Sequence, residues 1–150
     1  MMAVQLQDMQ AKTGEVIGTS DWIEIGQDRI NTFADCTDDH QFIHVNPDMA
    51  KLTPLGGTIA HGFLTLSMLS RLSEMAITPV ATSMTLNYGF DRVRFLTPVR
   101  TGQRIRGVFK QKELVEKRPG QWQQVLEATI EIEGSEKPTM IAEWIIQHFA

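Results

Sequence analysis

The chain has 150 residues, of which 42% are apolar and 21% charged, the size and makeup of one domain able to build a core without metal or disulfide support. Its formal charge of −4 disfavours a polyanion such as nucleic acid as partner, and its single cysteine, Cys36, rules out an internal disulfide and points to a reducing compartment. No run nears the roughly 18 apolar residues of a membrane helix, and the first residues, with Asp8 and Glu15, lack the apolar centre of a secretion signal, so one soluble cytoplasmic domain over residues 1–150 is expected.

Along the chain, Ile30 and Phe33 at helical spacing predict a helix over Gln27–Ala34. A second short helix is expected from Asn46, a good N-cap followed by Pro47 at the first helical position. Thr53-Pro54-Leu55-Gly56-Gly57 reads as a loop. Ala60–Met75 carries strong helix formers without proline, and its apolar residues cover most of the circumference. That pattern predicts a buried helix, about 24 Å long at 1.5 Å per residue. From Ala81 onward the period changes to two. Trp122, Leu126, Ala128, Ile130 and Ile132 alternate with polar residues, as do Met140, Ala142, Trp144 and Ile146, and Arg104–Val115 does so more weakly. In Leu86–Leu96 the apolar parity switches near Gly89, the mark of a bulge, and Arg118-Pro119-Gly120 reads as a turn between long strands. One buried helix followed by antiparallel strands defines an α+β domain with the sheet wrapped on the helix.

Only four histidines are available for proton transfer near neutral pH, and two fall in one short stretch. Asp39-His40-Gln41-Phe42-Ile43-His44 lies between the two expected short helices. In a turning loop, the Asp39–His44 spacing can bring a carboxylate and an imidazole to one side with room for a water; the competing reading is a surface acid with a solvated histidine. Ile59-Ala60-His61-Gly62-Phe63 opens the buried helix. Unpaired N–H groups at a helix start, with a glycine that lets a carbonyl approach, can form an oxyanion site; tight helix–sheet packing explains the glycine equally well.

Asp39-x-x-x-x-His44 followed by Ile59-Ala60-His61-Gly62, together with Tyr88-Gly89-Phe90-Asp91-Arg92-Val93-Arg94-Phe95-Leu96-Thr97-Pro98-Val99-x-x-Gly102, resembles the MaoC-like dehydratases, the (R)-specific enoyl-CoA hydratases. Ser20-Asp21-Trp22 through Ile43-His44 most resembles the nodulation-protein-N-like branch, and the similarity spans roughly residues 18–110. The resemblance implies a hot-dog fold, a long central helix wrapped by an antiparallel sheet and usually assembled as a homodimer. It implies hydration of a trans-2-enoyl-CoA to an (R)-3-hydroxyacyl-CoA without metal or redox cofactor. Asp39 and His44 fall on the family's catalytic pair, Gly62 on its backbone oxyanion donor, and Ser70 on a family serine with a supporting role. Where the family often has Asn-Pro, this chain has Gln41-Phe42. Gln41 still offers an amide, while loss of the proline leaves the loop less fixed.

Of the other residues, His61 is expected to fix the helix start by a hydrogen bond, His40 to be solvated or to cap the loop, and His148 and a buried Cys36 to be structural. Trp22 and Trp122 read as core or interface anchors. Arg92, Arg94, Arg100, Arg104 and Arg106 suit either CoA phosphates or a solvated sheet face. No pair shows zinc-ligand spacing, so no metal is expected. An acyl-CoA thioesterase of the same fold and a non-catalytic acyl-CoA-binding module are the alternatives to a hydratase.

Overall fold

Period-two patterning and the helix formers at Gly62–Ala76 produce a curved sheet laid against one helical stretch. The computed structural model describes all residues, Met1–Ala150. Its elements are α1 (Leu6–Gln10), β1 (Val16–Thr19), β2 (Ile23–Glu24), α2 (Gln27–Thr37), α3 (Phe42–Val45), α4 (Pro47–Ala50), α5 (Gly62–Ser67), α6 (Leu69–Ala76), β3 (Met84–Phe95), β4 (Arg104–Arg118), β5 (Gln121–Ile132) and β6 (Met140–Phe149). The strands form one antiparallel sheet in the order β1-β4-β5-β6-β3, with β2 also paired to β4. No helix is long and apolar enough to cross a membrane.

The sheet follows its alternation. Ile105, Phe109, Leu126, Ala128, Ile130, Met140, Ala142 and Trp144 turn inward onto Leu64, Met68, Leu69 and Leu72 of the helical stretch. Fully burying one such large side chain is worth about 1.5–3 kcal/mol. Arg118-Pro119-Gly120 forms the β4–β5 turn, with Gly120 at φ +76, a left-handed value that suits glycine. Register shifts fall at Asn87/Gly89 and Phe90/Arg92, where the parity of β3 switches.

Three expectations are corrected. The helix predicted over Gln27–Ala34 continues to Thr37, where Asp38 ends it in a left-handed conformation at φ 59. Cys36 is exposed, because α2 buries only its Ile30 and Ala34 face. The helix predicted over Ala60–Met75 starts at Gly62, shifts its hydrogen bonding at Met68 and ends at Ala76. It is also not buried all round: the sheet covers Leu64, Thr65, Met68, Leu69 and Leu72, while Phe63 is 68% exposed. The apolar residues on its far side have no covering layer within one chain.

Two glycines allow the helix to lie so close. A Cβ on Gly18 of β1 would come 2.1 Å from the carbonyl oxygen of Ala76, and one on Gly107 of β4 would come 3.1 Å from Cβ of Leu72. These contacts set where the helix crosses the sheet, and therefore where its start at Gly62 falls. Gly18→Ala is expected to lower unfolding stability by about 1–3 kcal/mol through overpacking against rigid backbone. Gly57→Ala, where nothing lies within 4 Å, should change it by less than about 0.5 kcal/mol. Chemical denaturation of both variants checks the contrast.

Candidate active site

The left-handed turn at Asp38 reverses the chain after α2 and carries Asp39 to Gln41 over to α3. Asn46 then caps α4, accepting a hydrogen bond from the Met49 N–H through its side-chain oxygen (3.1 Å). The loop is tied down from both sides. The Ile59 N–H donates to the Ile43 carbonyl (3.0 Å), while residues 58–60 bond along Val99–Thr101 through Ala60 N–H to Val99 O (2.8 Å) and Thr101 N–H to Thr58 O (3.0 Å). Gln27 of α2 adds a third tether. Its amide N–H donates to the His44 carbonyl (2.7 Å), and its amide oxygen accepts from the Thr58 hydroxyl (2.6 Å). Sequence reasoning missed Gln27, since nothing local marks a glutamine 17 residues from its partner.

His44 is buried, with 7% of its surface exposed, and its Nδ1 lies 2.7 Å from the Ile59 carbonyl. A carbonyl only accepts, so Nδ1 carries the proton and the Nε2 lone pair of the neutral ring is free. Burial lowers its pKa from the ordinary 6.5; the nearby His61 acts in the same direction, while the Ile59 hydrogen bond and Asp39 oppose. The ring is therefore neutral at pH 7, with a lone pair able to accept a proton.

Asp39 is exposed on the loop, and one of its carboxylate oxygens accepts from the Gln41 backbone N–H (3.3 Å). Gln41 works here through its backbone: it is the N-cap position of α3, and its carbonyl accepts from the His44 N–H (3.0 Å). His61 is 2% exposed and stacks on His44 with ring centroids 3.8 Å apart. Its Nε2 donates to the Asp39 backbone carbonyl (3.0 Å). Gly62 follows as the first helical residue, so its N–H has no partner within the helix. Beside it lies a cavity of about 230 Å³ lined by Gly62, Thr65, Phe95, Pro98 and Val99 among others. The Phe95 ring packs where a Gly62 Cβ would stand, 3.2 Å from it, so packing favours glycine there.

The structure thus brings Asp39, His44 and His61 together, with Gly62 next in the chain. One donor atom from each of the three side chains lies within 4.8 Å of the other two, a set that could hold a metal ion although no zinc-ligand spacing is visible in the chain. The His44 and His61 rings of this set are stacked, with 24° between their planes.

Ser70 lies elsewhere. It is exposed on α6 and lines a separate cavity of about 630 Å³ with Ser73, Thr85, Gln124, Trp144 and His148. His148 is buried there, with Nδ1 2.9 Å from the Thr85 hydroxyl and Nε2 2.9 Å from the Gln124 amide oxygen, and burial lowers its pKa from 6.5. His40 pairs with Asp35 (2.9 Å) in solvent. Trp122 is buried in a small cluster with Leu6, Met9 and Leu114, and Trp22 lies under the Arg106 guanidinium. Arg104 and Arg106 pair with Glu133 and Glu131 across the sheet. That leaves Arg92, Arg94 and Arg100 as the exposed arginines of the group without an acidic partner.

Two of the three buried histidines, His44 and His148, make folding depend on pH. Each has a folded pKa below its unfolded value, so the unfolded chain binds more protons as pH falls through 6.5. Their contribution is complete above 6.5 and declines below it. The melting temperature is expected to be lower at pH 5 than at pH 7.5, and His148→Gln should flatten that dependence; thermal scans across this range check it.

The family model described as "MaoC like domain" matches residues 8–135. Nodulation protein N of Rhizobium leguminosarum bv. viciae is 45% identical over 147 residues, covering 97% of this chain and 91% of that protein. The 3-hydroxyacyl-thioester dehydratase Z of Mycobacterium tuberculosis is 43% identical over 143 residues, covering 95% of each. Among solved structures, an (R)-hydratase from A. caviae involved in PHA biosynthesis superposes with a TM-score of 0.73 at 22% identity, covering 88% of this chain and 95% of that one. The architecture is the hot-dog fold that the family resemblance implies, and it agrees with the order of helix and strands read from periodicity.

Proposed function

Since the chain belongs to the MaoC-like dehydratase family, we propose that it is an (R)-specific enoyl-CoA hydratase, adding water reversibly to a trans-2-enoyl-CoA to give an (R)-3-hydroxyacyl-CoA. The observation that carries this reading is the pairing of a neutral His44, its Nε2 lone pair free, with the Asp39 carboxylate beside the helix start at Gly62.

In this mechanism the thioester carbonyl accepts from the Gly62 N–H, which draws electron density from the conjugated double bond and makes the β-carbon electrophilic. An oxyanion donor of this type is worth about 10²–10³-fold in rate. A water held between Asp39 and His44 attacks the β-carbon. Its C–O bond forms as the C=C electrons move onto the α-carbon and the carbonyl oxygen. One water proton passes to the pair and a proton is returned to the α-carbon, so atoms and charge balance without an oxidant or reductant. The free lone pair supports His44 as the group that takes the proton. The reaction so written uses no metal or redox cofactor; CoA belongs to the substrate. Gln41, through the Asp39 and His44 backbone bonds, supports the loop, and Ser70 belongs to the distal cavity. The lone reduced cysteine and the CoA substrate are in keeping with a cytoplasmic enzyme without nucleic-acid or membrane partners.

The working unit in this reading is a homodimer. β3 pairs only with β6, so its outer edge is open, and Leu86 and Tyr88 on it are exposed along with Phe63 on the helix. Antiparallel pairing of β3 with β3 of a second copy would extend the sheet, satisfy that edge and cover both faces by one two-fold contact. Tyr88→Glu is expected to shift the mass measured by light scattering from dimer to monomer; a wild-type monomer at micromolar concentration would refute the assembly.

Activity is measured as loss of enoyl absorbance on a C4 to C16 trans-2-enoyl-CoA panel, with the chirality of the product determined. Asp39→Asn and His44→Gln are each expected to lower hydration by at least about 10²-fold in folded protein. Near-normal turnover in either would remove it from the pair. Release of free thiol from the same substrates would instead identify a thioesterase, and tight binding with neither change a non-catalytic module.

A further inference from the structure

His61 touches both members of the pair at once. Its Nε2–H holds the backbone carbonyl of Asp39 at 3.0 Å, and its ring lies on the His44 ring at 3.8 Å. On another side, the Phe33 ring of α2 packs against it, tilted by 56° with centroids 4.9 Å apart. The residue is also the N-cap of the helix that starts at Gly62, although its side chain makes no capping bond. Helix capping therefore does not account for the imidazole.

Nor does economy of burial. The remaining nitrogen, Nδ1, is buried without a hydrogen-bond partner. Leaving a buried polar atom unpaired costs about 1–3 kcal/mol. A phenylalanine would fill the same place between Phe33 and His44 without that cost, and a glutamine could donate to the Asp39 carbonyl. An imidazole supplies both a flat ring for His44 and a donor for Asp39 from one compact side chain.

We propose that His61 is a positioning residue for the reaction, holding the Asp39 main chain by its hydrogen bond and the His44 ring by its stack so that carboxylate and imidazole keep one relative placement. The need follows from the loop. Asp39 sits exposed between the end of α2 and the start of α3, and its own side chain is held only by the Gln41 N–H. His44, by contrast, is fixed to Ile59. Without His61, one partner is anchored and the other drifts; a displacement of about 1 Å between reacting groups can cost about 10²-fold in rate.

The inference rests on the hydration reading, and its test separates the two. His61→Phe keeps a ring for the stack and loses the donor; His61→Gln keeps a donor and loses the ring. Each is expected to lower kcat by at least about tenfold while KM stays within about threefold, and His61→Ala, which loses both, should lower it further than either. A second readout does not depend on turnover: titration of the His44 ring followed by NMR. The titratable groups around that ring are Asp39 and His61. In His61→Phe the ring stays buried but loses a neighbour that disfavours its protonation, so its midpoint should move to higher pH, carrying the acid limb of kcat with it. Unchanged kcat in folded His61→Phe and His61→Gln would overturn the proposal. So would activity that falls only in step with folded protein, with an unchanged pH profile and an unchanged His44 titration. If the wild type hydrates no enoyl-CoA, the hydration reading fails, and the titration alone decides: a His44 midpoint identical in wild type and His61→Phe overturns the positioning role.

Discussion

The 2.7 Å hydrogen bond from His44 Nδ1 to the Ile59 carbonyl is the constraint on which the site depends. It decides which nitrogen carries the proton, which way the ring faces, and which lone pair is free. It also joins two segments that the chain keeps apart. The loop after α2 is bound through this bond to the extended residues that lead into the helix start. Burial outweighs the pull of this bond toward protonation and keeps the ring uncharged, so that Nε2 is an acceptor at neutral pH.

The placement of that bond is in turn a property of the sheet. Residues 58–60 pair with Val99–Thr101, and that segment runs directly into β4, against which the helix is pressed at Gly107. The close crossing at Gly18 and Gly107 sets the height of the helix over the sheet. Gly62 then lines a cavity together with Phe95, Pro98 and Val99. Packing in the core is thus transmitted to the position of a single backbone N–H. A protein interior is dense enough for such shifts to propagate, because neighbouring side chains have no free volume to absorb them.

How much of this is legible in the sequence varies by element. β5 and β6 are read correctly because a sheet with one face covered imposes a period of two along most of each strand, interrupted only where Gln124–Leu126 and Trp144–Ile146 are buried in succession. Asn46-Pro47 marks the start of α4 because capping is local chemistry. The Ala60–Met75 stretch is read as a buried helix and is not covered all round, since sequence records which residues are apolar but not whether one chain or two will cover them. Cys36 fails for a related reason: a small apolar residue on α2 carries no sign of which side of the helix meets the core. The Asp39–His44–Gly62 set is visible only through family resemblance, as the spacing by itself fits a surface acid beside a solvated histidine equally well.

What the sequence determined by itself is the class of the fold and the identity of the groups near the site. Periodicity, turn residues and caps act over a few neighbours, and those are present in any window of the chain. What only the tertiary structure decided is the state of those groups: the tautomer of His44, the stack and the main-chain bond made by His61, the tether from Gln27, and the exposure of β3 and Phe63. Each arises between residues far apart in the chain, or from the presence or absence of a covering layer. Protonation and orientation respond to burial and to nearby dipoles, and those exist only once distant segments have packed together.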